Sequence, residues 1–315
     1  MADFKKIDLT KTKTYSIKNR ASRVRLDLFG KPLPSKASFN ELLDSLPKFL
    51  KAEDFRRLVE RITKAIEKDK RCLFMIGAHT LKVGLSPLFI DFMDYYKNLH
   101  FAGNAAVSIH DLEIAFFGAT SEDVLENLQD GSFGFVAETA ELYAEVLKNA
   151  TARQIGLGQS LGEIITDKNA AYKEYSLAYN CLKRNIPLTI HAAIGTDIVN
   201  QHSVFDGAAC GEASYTDFKI FANSVSEIAG GGVALNIGSA VIMPEVFLKA
   251  IAICRNLNQD FGGFTTANID MLSHYRPAQN VVNRPAALNS EGYNIIGHHE
   301  IMIPLLLAAV KNSML

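Results

Sequence analysis

Titratable side chains gather at a few places where they could do chemistry. In "IHDLE", His110, Asp111 and Glu113 crowd one turn of a helix-like stretch, and the run "IPLTIH" ends on His191. Near the C-terminus, "YNIIGHHEIMIPLLLAAV" puts His298, His299 and Glu300 between an apolar run of strand character and one of helix character. Unperturbed histidine titrates near neutrality, so His110, His191 and His298 are candidates for catalytic proton transfer. These residue types also bind metals. No H-E-x-x-H occurs, however, and adjacent histidines at a strand end point to different sides, so no metal site is expected. A metal-dependent hydrolase using the cleft histidines stands as an alternative. A serine or cysteine nucleophile finds no G-x-S-x-G elbow and no distinctive cysteine setting.

The elements that must position these groups alternate. "CLFMIGAHTLKVGLSPLFIDFMDYY" reads as a strand over 72–76, a turn at Gly77–Thr80 and a helix from about 86. "NLHFAGNAAVSIHDLEIAFFG" reads as a strand reaching Gly103–Asn104, then a turn and a helix around His110 to Phe117. A strand over 187–191, a strand over 232–235 with a tip at Asn236–Gly238 and a helix from about Pro244, and the runs "GGFTTANIDM" and "EGYNIIGHHE" complete the series. Short apolar strands alternating with helices predict a doubly wound, mostly parallel α/β sheet of Rossmann-like topology. Ligands of such sheets bind outside the carboxyl ends of the strands, where His79, Asn104, His191, Asn236, Asp270 and His298 would project. Residues 1–37, basic and proline-punctuated, read as an N-terminal arm, and 38–315 as a single domain. Ser38 followed by Glu41 predicts a capping box at the first helix.

Composition narrows the function classes. The formal net charge is -1, which gives no electrostatic case for nucleic acid or an anionic membrane, so a small-molecule substrate is expected. The four cysteines are scattered without a C-x-x-C pair, and no apolar run reaches the roughly 18 residues of a membrane span, so a cytoplasmic protein is expected. The dinucleotide fingerprint G-x-G-x-x-G is absent; "GLGQSLG" at 156–162 approaches its spacing but reads as a loop. The triple glycine at 230–232 opens directly into a strand and suits tight packing or close approach of backbone to a ligand.

"FMIGAHTLKVGL", "GNAAVSIHDLEIA", "NIPLTI", "FDGAACGEASYTDF", "GGGV", "TTANID", "YRP" and "IPLL" follow one another from about Arg71 to the C-terminus. Their order resembles the deoxyhypusine synthase family. Asp206 and Gly207 match that family's Thr-Asp-Gly-Ser-x-Gly-Asp, with Glu212 near its final acid, and "GGGV" matches directly. The resemblance implies a Rossmann-like fold, NAD bound near subunit interfaces, and a homotetramer built as a dimer of dimers. It implies cofactor contacts at Gly77, His79, Asp111, Asp206, Gly207, Gly231, Gly232, Thr266, Ala267, Asp270 and His298. It implies substrate contacts at Glu212, Asn236, Arg276, Asn283 and Arg284.

The family oxidises spermidine with NAD and transfers its aminobutyl group through an imine on a lysine. Here Trp-Gly-Lys falls on Asn283-Arg284-Pro285, and no lysine lies between Lys249 and Lys311. A guanidinium stays protonated and forms no imine, so standard deoxyhypusine synthesis is not expected. The expectation is a divergent NAD-dependent enzyme acting on a small amine, polyamine-like or other polar metabolite. The alternative from another class is an inactive relative acting as a hetero-oligomeric binding partner.

Overall fold

A computed structural model describes residues 4–314. Residues up to Glu53 form one compact unit and those from Asp54 onward a second. In the first, Ser38 caps the helix Phe39–Ser45 by accepting from Glu41 N, and the Glu41 carboxylate accepts from Ser38 N in return, as the sequence predicts. The arm expected over 1–37 falls inside this unit from Phe4 onward, and its residues 1–3 lie outside the described residues.

The second unit holds a six-stranded, all-parallel sheet: β1 (Cys72–Ile76), β2 (Leu99–Asn104), β3 (Leu188–His191), β4 (Val233–Ile237), β5 (Thr265–Asp270) and β6 (Glu291–Ile296). Their order across the sheet is β3-β2-β1-β4-β5-β6. The chain thus winds outwards from β1 in one direction and from β4 in the other, which opens a crevice at the carboxyl ends of those two strands.

Both faces are covered, which is why the inner strands are continuous apolar runs rather than alternating ones. On one face Leu73, Met75 and Ala234 pack with Phe221, Val225, Phe247 and Ile251 of the helices Gly207–Ser226 and Ile242–Leu257. On the other, Phe74 is 6.1 Å from Phe89, 5.8 Å from Phe92 and 5.1 Å from Phe101 between ring centroids. Among the described residues no helix is long and apolar enough to cross a membrane.

Several element expectations need correction. The helix carrying His110 spans Ala105–Phe117 and starts directly at the end of β2, with no intervening turn. β4 extends through Ile237, so Asn236 lies within the strand rather than at a loop tip. "GLGQSLG" forms the start of the helix Leu157–Asp167 instead of a loop. Gly158 and Gly162 share one face of that helix at the i, i+4 spacing. A Cβ at Gly158 would lie 1.9 Å from Leu188 O, and one at Gly162 would lie 2.8 Å from Ala178 O. These glycines therefore serve close packing against β3 and the helix Leu177–Lys183.

Candidate active site

The crevice between β1 and β4 is built on two glycines. Gly77 N donates to Ile237 O at 2.8 Å, and a Cβ at Gly77 would lie 2.1 Å from Gly238 O, so the strand tips meet with no side chain between them. Gly238 has φ 72°, and a Cβ there would lie 2.8 Å from His299 Cε1. The imidazole of His299 therefore rests directly on the tip of β4.

His299 is 1% exposed, and its Nε2 donates to Ile269 O at 3.3 Å. A carbonyl can only accept, so the proton sits on Nε2 and Nδ1 carries a lone pair. That Nδ1 is buried without a partner. Burial holds the ring below the usual histidine range against the opposing pull of Asp270, whose Oδ1 lies 3.9 Å from Nε2. The His79 ring meets it edge-on, with centroids 5.7 Å apart.

Other buried atoms at this edge also lack partners. Asn104 Oδ1, at the end of β2, is one and Asn236 Oδ1 is another. Asn236, Asn268 and Asn294 stand in register on β4, β5 and β6. Asn236 Nδ2 donates to Asn268 Oδ1 at 2.8 Å, and Asn268 Nδ2 to Asn294 Oδ1 at 2.9 Å. The amide dipoles of this ladder run one way and end on the free Asn236 Oδ1.

Beside the edge lies a cavity of about 520 Å³. Ala106, Ile109, His110, Glu113 and Phe117 line it from one stripe of the helix that β2 feeds, at the spacing of successive helical turns. Lys82, Thr120, Glu122, Thr139 and Asp197 add polar groups, and Phe133, Val136 and Ile198 apolar wall. The opposite stripe of the helix faces inward and includes Val107, Leu112 and Ala115, all fully buried.

Glu113 accepts from Thr120 Oγ1 at 2.5 Å and from Thr139 Oγ1 at 2.9 Å. His110 Nδ1 lies 2.6 Å from Thr120 Oγ1. The single hydroxyl proton of Thr120 is already given to Glu113, so His110 must donate from Nδ1, leaving Nε2 as a free acceptor. Burial, helped by Lys82, pushes His110 down to about 4, so the ring is neutral at pH 7. A carboxylate that orients an imidazole through a hydroxyl, with the far nitrogen bare, is the arrangement of a general base. Asp197 is held above the usual carboxylate range by burial.

The structure brings some of the sequence candidates together and scatters others. Gly77, His79, Asn236 and Asp270 stand at or next to the crevice, and His110 lines the cavity. His191 is buried against Thr189 Oγ1 at 3.1 Å and pushed down to about 3 by burial. His298 is exposed at the head of the last helix, 3.7 Å from Glu300, so it and His299 do face different ways. Asp111 is buried and committed, accepting from Ser176 Oγ, Leu177 N and Ala178 N at the head of the helix Leu177–Lys183, with burial pushing it up to about 6. Asp206 accepts from Ala208 N and Ala209 N as the cap of the helix that Gly207 begins, and Glu212 is exposed on that helix.

Gly231 and Gly232 precede β4 and so lie at the opposite, amino edge of the sheet. Thr266 and Ala267 are fully buried inside β5, away from its tip. Arg276 pairs with Glu245 at 3.1 Å. Asn283 and Arg284 are exposed, just past Val282, whose carbonyl a Cβ at Gly292 would meet at 2.4 Å, so they flank the amino half of β6. Sequence reading missed Lys82, Thr120, Thr139 and Asp197 as companions of His110. Only Glu113 carried a signal, the i, i+3 spacing from His110 that puts both on one helical face. Among the described residues no three His, Cys, Asp or Glu side chains converge as a metal-holding group.

Comparison with solved structures places this architecture. The chain superposes on a LOR/SDH protein from Methanococcus maripaludis S2 with a TM-score of 0.54 at 14% identity, covering 85% of this chain and 72% of that one. A protein described as a deoxyhypusine synthase from Entamoeba histolytica matches with a TM-score of 0.50 at 12% identity, covering 90% of this chain and 97% of that one. The fold is deoxyhypusine synthase-like. AgrE, solved with ornithine and NAD+, matches with a TM-score of 0.50 at 13% identity, and there this chain covers 34% of the longer protein. The sequence itself matches no protein-family profile and no curated protein.

Proposed function

We propose that this chain is a divergent member of the deoxyhypusine synthase family, a dinucleotide-dependent enzyme that binds NAD outside the carboxyl ends of β1 and β4. Its substrate is a small polar metabolite, with amines the leading class, handled without a covalent lysine. The observation that carries the reading is the set of buried, partnerless atoms at that edge: Asn104 Oδ1, Asn236 Oδ1 and His299 Nδ1. Thr63, Ser86 and Asp217 carry the remaining ones among the described residues. An unpaired buried polar group costs of order 1–3 kcal/mol, so acceptors gathered at one strand edge fit a ligand that donates to them.

Those acceptors suit the polar groups of a dinucleotide, and the strand order supplies the crevice in which such ligands bind. Bound there, NAD would supply a hydride acceptor. The chain's own residues would do the rest. Asn104, Asn236 and His299 would fix orientation, while His110 Nε2 would accept a proton from substrate in the adjoining cavity. Lys82 and the carboxylates of Glu113, Glu122 and Asp197 would set the local field. AgrE supports the reading in one respect, since that protein was solved with NAD+.

With no lysine from Lys249 to Lys311 and Arg284 at the amino half of β6, the imine route has no residue to carry it. The assembly in this reading is a homotetramer with sites near subunit interfaces, which sedimentation velocity tests. Differential scanning fluorimetry with NAD tests the site: the wild type should gain thermal stability and Asn104→Ala should gain less.

A further inference from the structure

We propose that the amino edge of the sheet carries a second binding site, for a small phosphate-bearing anion. A cavity of about 210 Å³ opens there, lined by Arg61, Lys64, Lys68, Gly231, Asn289 and Glu291 among others. Its volume is below the roughly 300 Å³ of sites for drug-sized ligands, and it fits a phosphate or pyrophosphate group rather than a whole nucleotide.

The charge is one-sided. Arg61 and Lys64, one turn apart near the end of the helix Leu50–Glu67, and Lys68 just past it stand against the single lining carboxylate of Glu291. That carboxylate is used twice, by the Arg61 guanidinium and by the Tyr293 hydroxyl at 2.6 Å. Lys64 pairs with Glu60 one turn earlier. Lys68 has no carboxylate partner among the described residues. Favourable interaction with the helix dipole explains a lysine at this end of a helix, but not the concave wall opposite.

That wall includes Gly231 of the triple glycine, which the proposed active site does not use. Gly230 has φ 68° and Gly231 φ 123°, so the backbone turns left-handed twice before entering β4. Gly230 N donates to Gly262 O at 2.9 Å and Gly232 N to Ile228 O at 2.8 Å. The Gly231 N–H is left uncommitted among the described residues, on a residue that lines the cavity. An uncommitted amide in a left-handed turn, lining one cavity with two lysines and an arginine, supplies the parts of an oxyanion cradle.

The test uses inorganic phosphate and pyrophosphate as probes on the full chain, with sodium chloride at matched ionic strength as the control. Phosphate or pyrophosphate should raise the melting temperature where chloride does not, and should shift the Gly231 amide resonance in a ¹⁵N-labelled sample. Lys64→Gln with Lys68→Gln, at two exposed positions, should keep the native circular dichroism and weaken binding about tenfold or more, the loss of one charge-assisted hydrogen bond or greater. Pyrophosphate binding alone would assign the site to a diphosphate ligand, and inorganic phosphate binding to a free phosphate. An equal effect of chloride, an unmoved Gly231 amide, or undiminished binding by the double variant would overturn the proposal.

Discussion

His110 Nδ1 and Thr120 Oγ1 stand 2.6 Å apart, and the Thr120 hydroxyl points its proton away from the histidine, to Glu113. This direction fixes which imidazole nitrogen is bare. The ring should therefore exist as the Nδ1–H tautomer and stay neutral through the physiological range, since burial and Lys82 hold its pKa at about 4. Long-range ¹H–¹⁵N correlation across a pH series reads both properties. A protonated Nε2, or a midpoint at or above the ordinary histidine value, would contradict the relay.

Replacing the carboxylate should reverse the relay. In Glu113→Gln the new amide can donate to Thr120 Oγ1, freeing the hydroxyl to donate to His110 Nδ1 and forcing the ring proton onto Nε2. The fold should survive, because the substitution keeps the size of a side chain that is mostly buried. Loss of a correctly oriented base typically costs about 10²- to 10⁴-fold in rate. The same ¹⁵N spectrum should show the tautomer exchanged, while Glu113→Ala with an unchanged tautomer would show that Glu113 does not orient the histidine.

A buried carboxyl on the helix Gly207–Ser226, packed against the edge strand β3, gives a pH signature. Asp217 Oδ2 accepts from Gly158 N at 3.0 Å and Ile190 N at 2.8 Å, while Oδ1 is buried without a partner. Burial pushes this acid up to about 7. The folded state then keeps a proton that the unfolded chain releases near its ordinary value of 3.8. Stability from this group is full below about pH 4 and falls as pH rises to about 7, by a few kcal/mol in order of magnitude. Asp217→Asn should flatten that slope. Urea titrations of both proteins from pH 4 to 8 check it, and parallel slopes would rule the carboxyl out as the cause.

The glycine pair at the crevice should be intolerant of side chains. Gly77→Ala puts a Cβ 2.1 Å from Gly238 O, a backbone atom just past the end of β4 that has no rotamer to yield. Overpacking of this kind costs about 1–3 kcal/mol or more. Thermal unfolding should show a clear loss for Gly77→Ala. Gly211→Ala, at an exposed helical position with open space around it, should show little change.

Much of the scaffold was legible in the sequence and less of the site. "CLFMI" and "PLTIH" announce buried parallel strands because both faces of such strands are apolar. Local alternation of strand and helix then fixes which end of each strand bears polar residues. The triple glycine opens into β4 as its place ahead of an apolar run implies, which sets it at the amino edge of the sheet. Asp111 is bound to the head of the helix Leu177–Lys183 through Ser176 to Ala178, partners too distant in sequence for a local pattern to show. Thr120 and Thr139 reach Glu113 only through folding of the 119–139 segment over the helix, which no local pattern encodes. His298 and His299 were separable in orientation, but not in which of the two the crevice would take.

Isothermal titration calorimetry of the purified chain with NAD is the most direct test of dinucleotide binding in the β1–β4 crevice. Saturable binding is expected, weakened in Asn104→Ala and in His299→Phe, with stabilisation approaching about 2.7 kcal/mol at a hundredfold excess over Kd. A folded wild-type protein that gives no binding heat and no thermal shift at millimolar NAD would contradict the account.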